Sequence, residues 1–332
     1  MTKINYIFLI QTPFHVESMS YIYKSVFYNK ESLIICHERI EIQKENVINY
    51  GDEFLFSINS TFKNGFFDTR KKIKQLGEYI DEILHDNNIS EDVKVIAGTD
   101  REIFNQLIFK KLKFKFNPEF ILVEEGTGFY SKQKIADKPL KYLYRIIGNL
   151  FFGFKIEYVR PLGSHPYINK IYLRDVDKID ELRSDVTYLE YKFQTKKLDL
   201  KGLNQTLNIL FFSFPNQDYG IKPSVKLKFF STVLDYMKKK EGKIFIKPHP
   251  RELIADFEIL SDNYSNYTIL DNKIIGEKIP FSAFDMIFHF NSSVAFEIIN
   301  SGFDQTKIYS IDPKNIQNTK WVLEKLSEYG GK

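Results

Sequence analysis

At 332 residues the chain is longer than a typical single domain, so two domains are expected; 43% hydrophobic and 27% charged residues mark an ordinary globular protein. A formal net charge of +4, with no nucleic-acid-binding motif in view, excludes nucleic acid as the expected partner while fitting an anionic substrate or a weakly attractive membrane surface. Cys36 is the only cysteine, which excludes a disulfide framework and a cysteine-based metal site and points to a reducing compartment.

The chain opens directly on a strand-like run, Ile4–Ile10, with no signal peptide before it, so a cytoplasmic location is expected. A helix is predicted over Phe14–Tyr28, then strands at Ser32–His37 (with Cys36 as a small buried hydrophobe) and Glu53–Ile58. Asp68 is read as the N-cap of a long helix whose apolar face is Ile73, Leu76, Ile80, Ile83 and Leu84, at spacings near 3.6 residues. Val93–Ala97 is a strand, Asp100–Leu112 a helix, and Phe120–Val123 a strand ending at Glu124 and Glu125. The rhythm lapses between about 131 and 205, where a basic aromatic helix (Leu140–Phe152) and short strands at Lys155–Val159 and Lys170–Leu173 are expected. It resumes with a strand at Leu207–Ser213, a helix at Ser224–Lys239 (Leu227, Phe230, Leu234 and Met237 inward) and a strand at Lys243–Ile246. Asp285–Phe290 is a strand, Val294–Ile299 a helix start, Lys307–Ile311 a strand and Asn315–Tyr329 a closing helix. Such alternation argues for two α/β halves with parallel sheets covered on both faces and a cleft between them, ligands gathering at the carboxyl ends of the strands.

Three clusters carry chemistry. In Val123-Glu-Glu-Gly-Thr-Gly128, adjacent residues of a strand point to opposite faces, so Glu124 and Glu125 cannot share one task. Glu125, nearer the turn, is a candidate general base, while Gly126, Thr127 and Gly128 allow close backbone approach by a ligand; a solvated acidic turn is the plain alternative. The second cluster follows the strand Ile244–Ile246, where Pro248 and Pro250 stiffen an extended bend that holds His249 between Lys247 and Arg251. That arrangement suits meeting an anion and delivering a proton. In the third, Phe288-His-Phe-Asn-Ser-Ser-Val294, Asn291, Ser292 and Ser293 end a strand before a helix. One serine can cap while the other, with backbone amides, holds a phosphoryl oxygen; His289 reads as packed. Thr12 and His15, where the first strand becomes a helix, and Glu124 are acceptor-side candidates, with capping as the plain role of Thr12. Ser213 is a candidate nucleotide contact. No P-loop, Asp-x-Asp or metal-spaced histidine set suggests a metal or other cofactor.

The order of these clusters, Glu124-Glu-Gly126, then Pro248-His-Pro250, then Ser292-Ser293, resembles bacterial sialyltransferases of the GT-B fold; Glu124-Glu-Gly-Thr-Gly128 and Pro248-His-Pro-Arg251 look most like glycosyltransferase family 52, the lipooligosaccharide and capsule sialyltransferases. The resemblance implies two Rossmann-like domains, an acceptor-side domain at 1–200 (connector about 160–200) and a donor-binding domain at 201–332 whose last helix packs back on the first. It implies an inverting, metal-independent transfer of sialic acid from CMP-sialic acid to a terminal galactose of a surface glycan, in α-2,3 linkage. Glu125 would then be the general base, His249 the group that protonates or stabilises the departing CMP phosphate, and Ser292 and Ser293 the phosphate-holding pair. Glutamates stand where several members have aspartates, and no acid stands at Pro280-Phe-Ser282, where a ribose contact is expected.

Three alternatives share parts of this pattern. An α-2,8-polysialyltransferase shares the acidic-Gly and His-Pro motifs, but favours a basic groove that a net +4 does not encourage. A CDP-glycerol-type glycerophosphotransferase carries His-Pro and Ser-Ser elements, usually with a second histidine where Glu125 stands. A non-catalytic glycan- or nucleotide-binding relative would not need Glu125 and His249 together. Lys138–Arg160, apolar and basic, is a candidate for peripheral contact at the inner face of the cell membrane or for a homodimer contact.

Overall fold

The computed structural model describes residues 2–26, 31–42, 46–51, 66–124, 155–157, 162–179, 182–191, 197–201, 203, 207–260, 263–290, 292 and 294–329. The chain divides into two compact units, Met1–Phe193 and Gln194–Lys332, each built on an all-parallel sheet.

In the first unit the strands are β1 (Ile4–Ile10), β2 (Ser32–His37), β3 (Val47–Tyr50), β4 (Ile89–Ala97), β5 (Glu119–Val123), β6 (Ile168–Leu173) and β7 (Thr187–Glu190). Their spatial order is β3-β2-β1-β4-β5-β6-β7. The helices are α1 (Pro13–Val26), α2 (Phe66–Asp86) and α3 (Ile103–Lys115). β1 is apolar without a break because both its faces are covered: Ile7 and Leu9 join the core under α2 and α3, and Tyr6, Phe8 and Ile10 join the one containing Met19 and Ile22 of α1. All five apolar positions expected of α2 are buried.

Several expectations shift locally. Helix α2 already includes Phe66, so Asp68 lies in its first turn, where a carboxylate suits the helix dipole, rather than at the cap. Asp100 precedes α3 instead of beginning it. Its buried carboxylate accepts the N–H groups of Gly163 and His165, both at 3.0 Å, and burial pushes its pKa up to about 6. Lys155–Glu157 is not a strand; the Gln106 side-chain amide satisfies both backbone groups of Glu157, each at 2.9 Å. Strands β3 and β7 were not anticipated, being four-residue edge strands with polar positions and little periodic signal. The expected strand Glu53–Ile58 and helix Leu140–Phe152 lie outside the described residues. Cys36 is buried on β2 and desolvation pushes its thiol up to about 11, which leaves it inert as a nucleophile.

The second unit has β8 (Asn208–Phe212), β9 (Lys243–Lys247), β10 (Tyr267–Ile269), β11 (Met286–His289) and β12 (Ile308–Ser310), in the order β10-β9-β8-β11-β12. Its helices are α4 (Asn216–Tyr219), α5 (Pro223–Lys239), α6 (Ala255–Glu258), α7 (Val294–Asn300) and α8 (Lys320–Tyr329). Phe211, Phe230 and Phe288 fill one face of the sheet, and Leu210, Phe245 and Ile287 the other. Leu227, expected inward on α5, is only half-buried; Lys226 is buried in that stripe instead. The closing helix α8 sends Val322 and Leu326 into the core of its own unit. Among the described residues no helix is long and apolar enough to cross a membrane.

Candidate functional site

In the first unit the sheet grows one way from β1 through β2 and the other way through β4, which makes the carboxyl ends of β1 and β4 a topological switch point. Thr12 caps α1 there: its Oγ1 accepts the His15 N–H at 3.3 Å, with Pro13 as the first helical residue. The His15 ring is fully buried, and its Nδ1 accepts the Gln11 N–H at 3.1 Å. The ring rests on Gly98, just past β4, where a Cβ would fall 1.9 Å from His15 Nε2. Gly98→Ala is therefore expected to destabilise the unit by about 1–3 kcal/mol through overpacking. Denaturant titration checks this, and His15→Ala in the same chain should restore much of the loss; no rescue would mean that the glycine serves another purpose.

Glu124, at the end of β5, has no exposed surface. Its carboxylate accepts the Arg174 backbone N–H at 2.7 Å and Nε at 2.7 Å, and lies 2.5 Å from Nη2. Arg174 follows β6 and its guanidinium sits 5.2 Å from the centre of the Phe14 ring. The first acid of the pair thus clamps neighbouring strand ends, and Arg174 is a partner that the local sequence does not announce. Glu125, Gly126, Thr127 and Gly128 lie outside the described residues.

In the second unit, strands β9, β8 and β11 lie side by side and parallel, so the groups following them share one sheet edge: Lys247 and His249, Ser213, and His289 with Ser292. The His249 turn is held from beneath by Glu252. One carboxylate oxygen accepts the His249 N–H at 2.7 Å; the other accepts the Ser213 hydroxyl at 3.1 Å and pairs with the Lys226 ammonium. Both charged side chains are almost wholly buried, and Lys226 Nζ lies 4.9 Å from the centre of the Phe257 ring. Desolvation raises the Glu252 pKa, while Lys226 and the hydrogen bonds pull it back. Asn272 Nδ2 donates to the Glu252 carbonyl at 2.6 Å, and Lys247 Nζ donates to the carbonyls of Pro248 and Asn272 at 2.7 and 3.1 Å.

The lysine and arginine that bracket His249 in sequence are thus both turned to structural partners. The Lys247 ammonium is buried on those carbonyls, and burial brings it down to about 8; Arg251 forms a bidentate pair with Asp218. The Arg251 backbone N–H donates to His249 Nδ1 at 3.1 Å, which leaves the proton of the neutral ring on Nε2. Burial first, then the nearby Arg251 and Lys247 charges, lower the His249 pKa to about 4, so the ring is neutral near pH 7. Ser292 Oγ accepts the Val294 N–H at 3.3 Å and caps α7, and the Ser292 N–H donates to His289 Nδ1 at 3.2 Å. Asn291 and Ser293 lie outside the described residues. Glu252 and Lys226 escaped the sequence reading, although a lysine on the apolar stripe of α5 and an acid three residues past His249 were the available signals.

A family model described as alpha-2,8-polysialyltransferase (POLYST) matches residues 6–293, a span that runs from β1 to the serine pair. The calicheamicin glycosyltransferase CalG4 superimposes with a TM-score of 0.54 at 10% identity, covering 99% of this chain and 90% of that one. A structure from Listeria monocytogenes, described as a UDP-N-acetylglucosamine 2-epimerase, gives 0.53 at 11% identity over 99% and 90%. Phytolacca americana UGT2, solved with UDP-2fluoro-glucose and pterostilbene, gives 0.51 at 8% identity over 98% and 90%. A search of curated protein sequences finds no significant match. At such identities the likeness is one of fold: two parallel-sheet α/β units of the GT-B type.

Proposed function

Because the chain belongs to the alpha-2,8-polysialyltransferase (POLYST) family, we propose that it transfers sialic acid from CMP-sialic acid, in α-2,8 linkage, to a glycan that already ends in sialic acid. The match over residues 6–293 carries this reading. It moves the favoured acceptor away from the terminal galactose suggested by the likeness to glycosyltransferase family 52. A sugar-nucleotide donor is further supported by Phytolacca americana UGT2, solved with UDP-2fluoro-glucose.

In the proposed reaction an acceptor hydroxyl attacks the anomeric carbon from the face opposite CMP, and its proton passes to the Glu125 carboxylate. The bond from the anomeric carbon to the phosphate oxygen breaks, and CMP departs as a phosphate monoester. The neutral His249 ring offers its Nε2–H as a hydrogen bond to the oxygen on which charge develops and keeps that proton; the ring costs no reorganisation at the moment of reaction because its backbone is tied to Glu252. Ser292, Ser293 and Asn291 would add donors to the same phosphate. Lys247 and Ser213 act through the turn, since the Lys247 ammonium is held on two carbonyls and the Ser213 hydroxyl on Glu252. A single departing phosphate, held by hydrogen-bond donors, would not require a metal ion.

The test is CMP release from CMP-sialic acid in EDTA, with an oligosialic acceptor and with lactose, for the wild type and Glu125→Gln. Release with the oligosialic acceptor but not lactose, and about 100-fold lower in the variant, is the expected result. Release with lactose alone would return the acceptor to galactose. Release with neither would sink the transferase reading.

A further inference from the structure

We propose that the face formed by α2 and the end of α3 docks on an anionic lipid surface. The two most exposed large apolar side chains among the described residues are Phe114, at 89%, and Phe67, at 78%. Phe114 sits between Lys113 and Lys115 in the last turn of α3 and borders a groove of about 930 Å³ between α3 and α2. Phe67 lies one helical turn before Arg70, which lines the same groove. The groove presents six cations, Arg70, Lys74, Lys110, Lys111, Lys113 and Lys115, against two carboxylates. Those are Asp81, held by Lys111 at 2.5 Å and Lys115 at 3.5 Å, and Glu78, 3.7 Å from Lys74.

Charge complementarity selects an anionic occupant, and the aromatics select among anionic occupants. A soluble polyanion gains little from two exposed phenyl rings, whereas a bilayer takes such rings into its headgroup region while the surrounding lysines meet lipid phosphates. The last turns of α3 lead into the amino end of β5, the opposite edge of the sheet from Thr12, His15 and Glu124. The face is built from residues other than Lys138–Arg160, the stretch that sequence alone suggested for membrane contact and most of which lies outside the described residues.

The experiment is co-sedimentation of the full chain with vesicles of phosphatidylcholine, with or without about one third phosphatidylglycerol. The wild type is expected to bind the anionic vesicles only, and to leave them as salt rises. Lys110→Glu with Lys113→Glu should lower binding by about 20-fold or more, since each cation near such a surface is worth roughly fivefold. Phe67→Ser with Phe114→Ser should lower it by about tenfold or more. Both double variants are expected to keep the wild-type melting temperature, because all four side chains are exposed. Equal binding to neutral and anionic vesicles, or anionic binding that neither double variant weakens, would overturn the proposal. So would loss of oligosialic-acid binding in the lysine variant with vesicle binding unchanged, which would assign the groove to a soluble polyanion.

Discussion

Glu252→Ala is expected to cost the second unit about 3–5 kcal/mol, enough to threaten its folding. The carboxylate is the partner of a lysine whose side chain is almost wholly buried, so its removal leaves an ammonium in an apolar setting between Phe214 and Phe257. It also orphans the His249 N–H and the Ser213 hydroxyl. The pair itself need not be a large net stabiliser, because desolvating both charges offsets much of their attraction. That asymmetry gives the check. In urea titrations, Lys226→Met with Glu252→Gln should lie closer to the wild type than Glu252→Ala alone, since no buried charge is left unpaired. If the single variant unfolds at the wild-type midpoint, Glu252 does not support the turn. The same double variant should keep its fold yet lose transfer activity, because a glutamine positions the His249 backbone less firmly than a carboxylate does.

His249→Ala is expected to lower turnover by about 10²–10⁴ with the melting temperature near pH 7 little changed, as for a group whose main task is in the transition state. The pH dependence separates two ways in which the ring could act. In the free chain its pKa lies at about 4, so a mechanism that required the imidazolium before the donor binds would lose kcat/KM steadily with rising pH through the whole range above 4. A ring acting through its Nε2–H instead predicts kcat/KM with no histidine-dependent fall between pH 6 and 8. Stability provides a second readout. Because the folded ring resists protonation and the unfolded one takes its proton near 6.5, stability is full above 6.5 and is lost as pH falls toward 4. For this residue the loss is up to about 3 kcal/mol at full burial, and less for a ring only partly covered. His249→Asn should flatten part of that fall; His289, also lowered by burial, retains its share. A pH–stability curve unchanged by the substitution would show that the ring is not desolvated.

The same Nδ1 arrangement recurs at other histidines. His15, His37, His165 and His289 also accept a nearby backbone N–H on Nδ1. Local backbone geometry sets the ring in each case, so a histidine in this chain is not singled out by its hydrogen bond. What distinguishes His249 is its setting: a strand end at the sheet edge, a turn fixed by two prolines and a buried carboxylate beneath it.

Much of this could be read from the residues. Fully apolar strands such as Ile4–Ile10 and Ile244–Ile246 announce parallel sheets because burial on both faces removes the polar alternation. The His-Pro turn and the serine pair were visible because proline restriction and helix capping act over a few residues. Net charge is silent on placement, since a sum over 332 residues cannot show that six cations gather on one pair of helices. The short strands β3, β7 and β10 carry too few residues for a period to register.

By itself, then, the sequence determined the two α/β units, the strand-end placing of the candidate groups and the stiffness of the turn around His249, because each follows from patterns among neighbouring residues. Only the tertiary structure decided which charges are engaged. Glu124 clamps Arg174, 50 residues away, and Glu252 meets Lys226, 26 residues away. Lys247 turns inward onto a carbonyl 25 residues on. The worth of a charge depends on its burial and on its partner, and both come from segments that only folding brings together.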